Sequence, residues 1–119
     1  SGHDPRGADD KRLPYADAAP GMAGAETLLA LSLTLVRDGV IKLPRLVAML
    51  SSTAASLLGV PAGQLTVGGE ADLVVFDPGA PWRIKDEKLQ GQAGNTPFDG
   101  LPVQGKVTTT VKGGEIISR

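Results

Sequence analysis

The 119-residue sequence contains no cysteine, which removes two classes of chemistry at once. No disulfide framework is possible, and neither is a zinc site built on thiolates. Aromatic residues are nearly as scarce at 3%, with one Trp, one Tyr and two Phe. Any core must therefore be built from Leu, Val, Ile and Ala. Histidine occurs once, as His3. A hydrolytic metal site needs His, Asp or Glu ligands converging from several points, so His3 alone cannot make a histidine-rich zinc centre. It is also the sole candidate base for a serine nucleophile, and no elbow motif surrounds any serine. A surplus of one charge sign is missing as well. The formal net charge of -1 at pH 7 gives no basic footprint for nucleic acid or for an acidic membrane. The longest apolar stretch, near Leu28 to Val36, is broken by Ser32 and Thr34 and is too short to span a bilayer. The first residues show no signal-peptide pattern, so the cytoplasm is the expected compartment. Nucleotide-binding glycine patterns are also absent, since Gly68-Gly69 precedes a strand-like run rather than a helix.

What is present is an ordinary globular balance of 41% hydrophobic and 21% charged residues, with enough length for one small domain. Residues 1–23 read as a loop, holding Pro5, Pro14 and Pro20 with a cluster of charges. Loops this long are uncommon in compact domains unless they carry function; a disordered or tag-derived terminus is the plain alternative. Residues 24–59 read as two helices. In the first, Leu28, Leu31, Leu35 and Val36 recur at helical spacing, widened by Leu29 and Leu33. Glu26 is placed in its first turn, where a negative charge suits the helix dipole, and Arg37 in its last, with Gly39 as the cap. The second begins near Pro44, carries Leu46, Val47, Leu50, Ala54, Leu57 and Leu58 as one stripe, and stops at Gly59 before Pro61. Both stripes read as core packing.

Residues 61–119 change to strand character. Gly68-Gly69 marks a turn. Ala71 to Phe76 is a short apolar run between Asp72 and Asp77, whose plain reading is capping and turn hydrogen bonding. Trp82 to Ile84 forms another short strand, and Val103 to Val111 is rich in Val and Thr. Gly113-Gly114 suits a tight hairpin into Glu115-Ile116-Ile117. From residue types and spacing alone, the sequence specifies a mixed domain and no function.

Three segments add a resemblance to dihydroorotases. Pro20-Gly21-Met22-Ala23-Gly24-Ala25-Glu26-Thr27 resembles the Pro-Gly-x-x-Gly-x-Glu-Thr stretch after the last barrel strand of that family, leading directly into a Leu-rich helix. Leu65 to Asp77, with Gly68-Gly69-Glu70-Ala71-Asp72-Leu73-Val74-Val75-Phe76 at its centre, is similar to a segment found widely among amidohydrolases. Asn95-Thr96-Pro97-Phe98-Asp99-Gly100, followed by Gly105-Lys106-Val107 and Thr110-Val111-Lys112-Gly113-Gly114, resembles the dihydroorotase C-terminus. The second segment is weakly specific; the first and third together are more so. The Asn-Thr-Pro-Phe stretch fits dihydroorotase better than hydantoinase or allantoinase.

The resemblance implies an α/β fold: the C-terminal part of a (β/α)8 TIM-type barrel followed by strands of a small β-sandwich. Residues 1–60 would supply an active-site loop and two helices of the barrel. Residues 61–119 would supply sandwich strands and a tail. The implied reaction is the reversible interconversion of N-carbamoyl-aspartate and dihydroorotate in pyrimidine synthesis, with zinc in the full-length family, its main ligands upstream, and none expected on this segment. The family motif Thr/Ser-Asp-His-Ala-Pro-His aligns with Ser1-Gly2-His3-Asp4-Pro5-Arg6. Gly2 stands where the catalytic Asp belongs, so no catalytic and no metal residue is assigned here. Three accounts of Gly2 stay open: Ser1-Gly2 as a cloning remnant, a catalytically inactive homologue, or a branch that places its acid elsewhere.

Arg6 stands where a histidine often contacts substrate, and arginine can hold a carboxylate bidentately. Pro20 and Gly21 align with the pair whose backbone meets the substrate carboxylate, and glycine permits close approach. Asp4 is one residue out of register with the missing acid. Asn95 and Phe98 are expected to organise the sandwich and the path back to the barrel. Lys11 and Arg12 read as solvated, or as part of a lid. The expected partners are the remainder of a longer chain and copies of itself in a homo-oligomer, with neither nucleic acid nor membrane. The alternative function is a non-catalytic dihydroorotase-like structural partner of aspartate transcarbamoylase.

Overall fold

A computed structural model describes residues 1–91 and 94–118. Helices come first: α1 (Ala8–Lys11), α2 (Leu28–Arg37), α3 (Leu43–Leu50) and α4 (Ser52–Leu58). They are followed by β1 (Leu73–Arg83), a 3-10 turn (Asp86–Lys88), β2 (Pro102–Lys112) and β3 (Glu115–Ser118). The strands form one antiparallel sheet in the order β1-β2-β3. Among the described residues, no helix is long and apolar enough to cross a membrane.

The helix boundaries follow local chemistry. Gly39 and Gly59 take left-handed φ values of 72° and 66° after α2 and α4, the conformation in which glycine ends a helix without steric cost. Pro44 lies in the first turn of α3, where its missing N–H is not needed. Glu26 departs from expectation: α2 begins two residues later, and the Glu26 carboxylate instead accepts the Gln90 N–H at 2.7 Å. The single helix expected over 44–59 is two helices that meet at Ser51 (φ -128°, ψ -89°). The apolar stripe runs through this break, so periodicity does not reveal it. The remote chain does: a Cβ on Gly63 would lie 2.8 Å from backbone atoms of Ser51 and Ser52, so this glycine lets the returning chain pack directly on the break.

The sheet is likewise more continuous than expected. Ala71–Phe76 and Trp82–Ile84 read as separate strands, yet β1 runs unbroken to Arg83 with register shifts between Val75 and Phe76 and between Asp77 and Pro81. The Asp77 Oδ1 accepts the Gly79 N–H at 2.8 Å and the Ala80 N–H at 3.2 Å. This Asx turn takes up the extra residues as a bulge, and the strand resumes on its partner. Gly113 and Gly114 form the β2–β3 turn with φ of 57° and 86°, as the tight two-residue hairpin requires. Asp72 fixes that turn by accepting the Gly113 N–H at 2.8 Å and pairing with the Lys112 ammonium.

Helices and sheet meet through a small core. Ala30, Ile84 and Val103 are fully buried, with Leu31, Trp82 and Phe98 packed around them. Gly105, buried at the middle of β2, has φ 102°, and a methyl group there would run into Leu33 of α2. The Trp82 indole N–H donates to the Gly105 carbonyl at 2.9 Å, so the peptide that makes room for the helix also holds the one tryptophan. Elsewhere large apolar side chains stand in solvent: Leu57 is 83% exposed, Leu58 76% and Leu65 86%. The radius of gyration of 16.1 Å exceeds the roughly 13.5 Å of a self-contained domain of this length. Broad apolar exposure of this kind marks a surface made for contact.

These contacts make two measurable claims. Gly105→Ala forces a left-handed alanine against Leu33 and is expected to destabilise the protein by about 1–3 kcal/mol, read from urea denaturation of the protein carrying this chain. The second concerns pH. The hydrogen bond from Lys112, then that from Gly113, holds the Asp72 carboxyl below its ordinary value of 3.8, and the same pair raises Lys112 above 10.5. A depressed aspartate stabilises the fold above its unfolded value and loses that contribution as pH falls through the folded one; a raised lysine loses its contribution as pH rises through the folded value. Asp72→Asn should therefore destabilise slightly, the pair being solvent-screened, and do so between about pH 4 and 10. The difference from wild type should close on acidification below 3.8, tested by repeating the urea titration across pH.

Candidate functional site

The expected loop of residues 1–23 is ordered by contacts rather than by a core. Its one helix, α1, buries no residue. Instead His3 bridges Met22 in parallel, and Asp4 N–H donates to the Met22 carbonyl at 2.8 Å. The His3 Nδ1 accepts the N–H groups of Gly24 and Ala25 at 3.1 and 3.2 Å, so its ring proton resides on Nε2. His3 thus fastens the start of the chain to the turn before α2. Lys11 and Arg12 part company: the Lys11 ammonium donates to the Ala19 carbonyl at 2.7 Å, whereas Arg12 is exposed.

Arg6, Pro20 and Gly21 come together. Arg6 Nε donates to the Pro20 carbonyl at 3.2 Å, and Arg6 Nη2 donates to Asp4 Oδ2 at 2.8 Å. Asp4 lies over Gly21, where φ is 113° and a Cβ would sit 2.8 Å from the Asp4 Cγ. Gly21 is therefore required both for its backbone angle and for the close approach of Asp4. Asp4 faces Arg6 and Gly21, so the register mismatch seen in sequence corresponds to a different job: its carboxylate neutralises the arginine. The Nε–Nη2 edge of Arg6 is thus engaged by Pro20 and Asp4. With side-chain exposures of 41% and 50%, the Arg6–Asp4 pair is a solvent-screened one that contributes little to stability.

Asn95 completes the cluster. Its Oδ1 accepts the Arg6 N–H at 2.8 Å, its Nδ2 donates to the Gly21 carbonyl at 3.1 Å, and its own carbonyl accepts the Ala23 N–H at 2.9 Å. Sequence reasoning assigned it an organising role in the sandwich; here it also joins both loops that carry the expected contacts. Phe98, three residues on, packs on the core cluster. An open cavity of about 350 Å³ lies beside this junction, lined by Lys11, Gly21, Met22, Asp86, Asn95 and the Thr96-Pro97 turn. Gly21 borders it, while Arg6 and Pro20 do not. Gly2 is exposed, with φ 60°, and a Cβ at this position would meet no atom within 4 Å. There is room for a side chain there, and aspartate is among the few residues that tolerate the left-handed backbone.

Among the described residues, no group of three or more His, Asp or Glu side chains converges. With Nδ1 of His3 already accepting backbone hydrogen bonds and Asp4 committed to Arg6, the described residues offer no donor set for a metal. What the arrangement offers is a guanidinium paired with an exposed carboxylate; the described residues alone assemble no metal site with which to activate water. Gly21→Ala is expected to separate the 1–6 and 20–24 segments and so to hasten tryptic cleavage after Lys11 and Arg12, followed by mass spectrometry of the digest.

Comparison with known proteins bears on all of these elements. The family model described as "Amidohydrolase family" matches residues 14–117. The dihydroorotase of Syntrophus aciditrophicus is 42% identical over 115 residues, covering 97% of this chain and 27% of the relative. A dihydroorotase-like protein of Pseudomonas aeruginosa is 44% identical over 116 residues, with 98% and 27% coverage. Among solved structures, D-hydantoinase from Bacillus sp. AR9 superposes with a TM-score of 0.87 at 27% identity, over 98% of this chain and 27% of that one. L-Hydantoinase (dihydropyrimidinase) from Arthrobacter aurescens gives 0.80 at 33% identity, over 87% of this chain and 24% of that one. The chain spans about a quarter of the length of the curated relatives it matches, at 27%. With sequence and fold agreeing over nearly its whole length, the chain belongs to the amidohydrolase family.

Proposed function

We propose that these residues are the C-terminal part of a cyclic amide hydrolase of dihydroorotase type, which interconverts N-carbamoyl-aspartate and dihydroorotate. The observation that carries the reading is the 42% identity to a dihydroorotase across 97% of the chain. The hydantoinase structures support the broader class, because their likeness extends the cyclic-amide theme over the same stretch. On this reading residues 1–60 are the end of a (β/α)8 barrel, and 61–119 are strands of a β-sandwich with the tail. The loop holding Arg6, Pro20 and Gly21 then lies at the barrel mouth, where barrel chemistry is carried out. The remainder of the longer chain is the partner that covers Leu57, Leu58 and Leu65, all exposed here.

Arg6, Pro20 and Gly21 take the substrate carboxylate on this reading. The Nε–Nη2 edge of the Arg6 guanidinium, which Asp4 holds, supplies the N–H donors, and the Asp4 carboxylate leaves the face of Gly21 when it gives up that edge. A carboxylate arriving there exchanges with Asp4, whose bond to Arg6 is exposed and weak. The zinc of the wider family is assigned to residues outside this segment, because the donors described here do not assemble a site. Proton transfer is assigned elsewhere too, since Gly2 has no side chain to perform it.

The test is hydrolysis of dihydroorotate by the full-length protein carrying this chain, followed as N-carbamoyl-aspartate formed. Activity is expected, together with its loss on treatment with a zinc chelator and its return on adding zinc. Arg6→Ala should raise KM about tenfold, the worth of one charge-assisted hydrogen-bonded contact. A full-length protein that holds zinc yet turns over no dihydroorotate would sink the proposal and favour a non-catalytic role beside a transcarbamoylase.

A further inference from the structure

We infer that Asn95 is a positioning residue for carboxylate recognition, setting the spacing between Arg6 and Gly21. The inference rests on the dihydroorotase-type reading and extends it to a residue that touches no substrate. Three facts carry it. First, both functional groups of the Asn95 amide are used, and on different loops: Oδ1 accepts from Arg6 N–H at 2.8 Å and Nδ2 donates to the Gly21 carbonyl at 3.1 Å. An amide is the side chain that can both accept and donate at this position, so neither aspartate nor leucine reproduces the pair of bonds. Second, these bonds cross 89 and 74 residues of sequence, joining segments that share no hydrophobic core. Third, Asn95 is itself anchored from two sides. Its carbonyl accepts from Ala23 N–H at 2.9 Å, and Phe98 packs on the core cluster of Ala30, Ile84 and Val103.

The geometry gives this clamp a specific consequence. Arg6 reaches Pro20 through its Nε at 3.2 Å and Asp4 through its Nη2 at 2.8 Å. The guanidinium orientation therefore depends on where the Arg6 backbone stands relative to Pro20-Gly21. His3 and Asp4 already hold residues 1–4 to residues 21–25; Asn95 is the side chain that ties the Arg6 backbone itself to Gly21. Shifts near 1 Å in a positioning element are enough to weaken oriented contacts severely. Removing the amide should let the Arg6 backbone shift relative to Gly21 while the His3 and Asp4 contacts, the sheet and the helices remain in place.

The experiment uses the full-length protein and reads the dissociation constant for dihydroorotate by calorimetry, with the thermal midpoint measured alongside. Asn95→Ala should weaken binding about tenfold. Asn95→Asp, which keeps the acceptor for Arg6 N–H but opposes the Gly21 carbonyl, should fall between wild type and Asn95→Ala. Phe98→Leu loosens the same segment without removing either side-chain bond and should leave binding within about twofold even where its thermal midpoint drops as far. Unchanged binding in Asn95→Ala, or an equal loss in Phe98→Leu, overturns the inference, as does a wild type that fails to bind dihydroorotate. A wild type that binds dihydroorotate without hydrolysing it removes the proposed activity, while the binding series still decides the role of Asn95.

Discussion

The arrangement depends on one close approach, that of α2 to β2 at Gly105. A side chain at this point of β2 would meet Leu33, and among the described residues the core that joins helices to sheet is small: buried Leu33 and the cluster of Ala30, Ile84 and Val103 with their three neighbours. So small a core tolerates no extra separation, because dispersion contacts are lost within the first ångström of a gap. The same Gly105 peptide accepts the Trp82 N–H, which fixes β1 against β2 across the register shift at Asp77–Pro81. From there the order propagates. Ile84 N–H donates to the Leu101 carbonyl and Gly100 N–H to the Ile84 carbonyl, so the segment carrying Phe98 is held along the end of β1. Asn95 is thereby delivered to the N-terminal loop.

That loop has a different physical character. Helix α1 buries nothing, and the segment is fastened by hydrogen bonds from His3, Asp4, Arg6, Lys11 and Asn95. Each such bond contributes a net of about 0.5–1.5 kcal/mol, and those facing solvent contribute least. A loop held in this way opens locally at far less cost than the sheet unfolds. The division is mechanical: the helix–sheet joint keeps the anchor points fixed while the loop opens and closes around them.

The sequence revealed features governed by neighbours and concealed those governed by distance. Leu28, Leu31 and Leu35 announce α2, Gly39 and Gly59 its stop and that of α4, and Gly113-Gly114 the final hairpin, because each is decided within a few residues. The break at Ser51 is invisible because the apolar stripe of Leu46, Leu50 and Ala54 continues across it; the chain returning at Gly63 marks the place. The continuity of β1 is hidden because Pro78-Gly79 resembles a terminus, while the Asp77 carboxylate turns it into a bulge. In the site, Arg6, Pro20 and Gly21 were reached only by resemblance, and no residue types or spacings would have singled them out. Asn95 acts through bonds 74 and 89 residues long in sequence, which leave no local trace.

The N-terminal residues show how one substitution changes the meaning of its neighbours. With glycine at position 2, no acid is available where the resemblance places one. The adjacent polar groups do not take over that role, because each already has a structural partner. His3 faces the Gly24–Ala25 turn through Nδ1, and Asp4 faces Arg6. Moving His3 to an acid's role would cost contacts that order the loop, Asp4 is turned toward Arg6 and Gly21, and successive side chains of an extended segment face opposite ways. What the loop presents is a guanidinium paired with an internal carboxylate that lies over Gly21. On the proposed reading, carboxylate recognition by this loop is separable from bond cleavage, because Arg6, Gly21 and Asn95 hold no group that moves a proton.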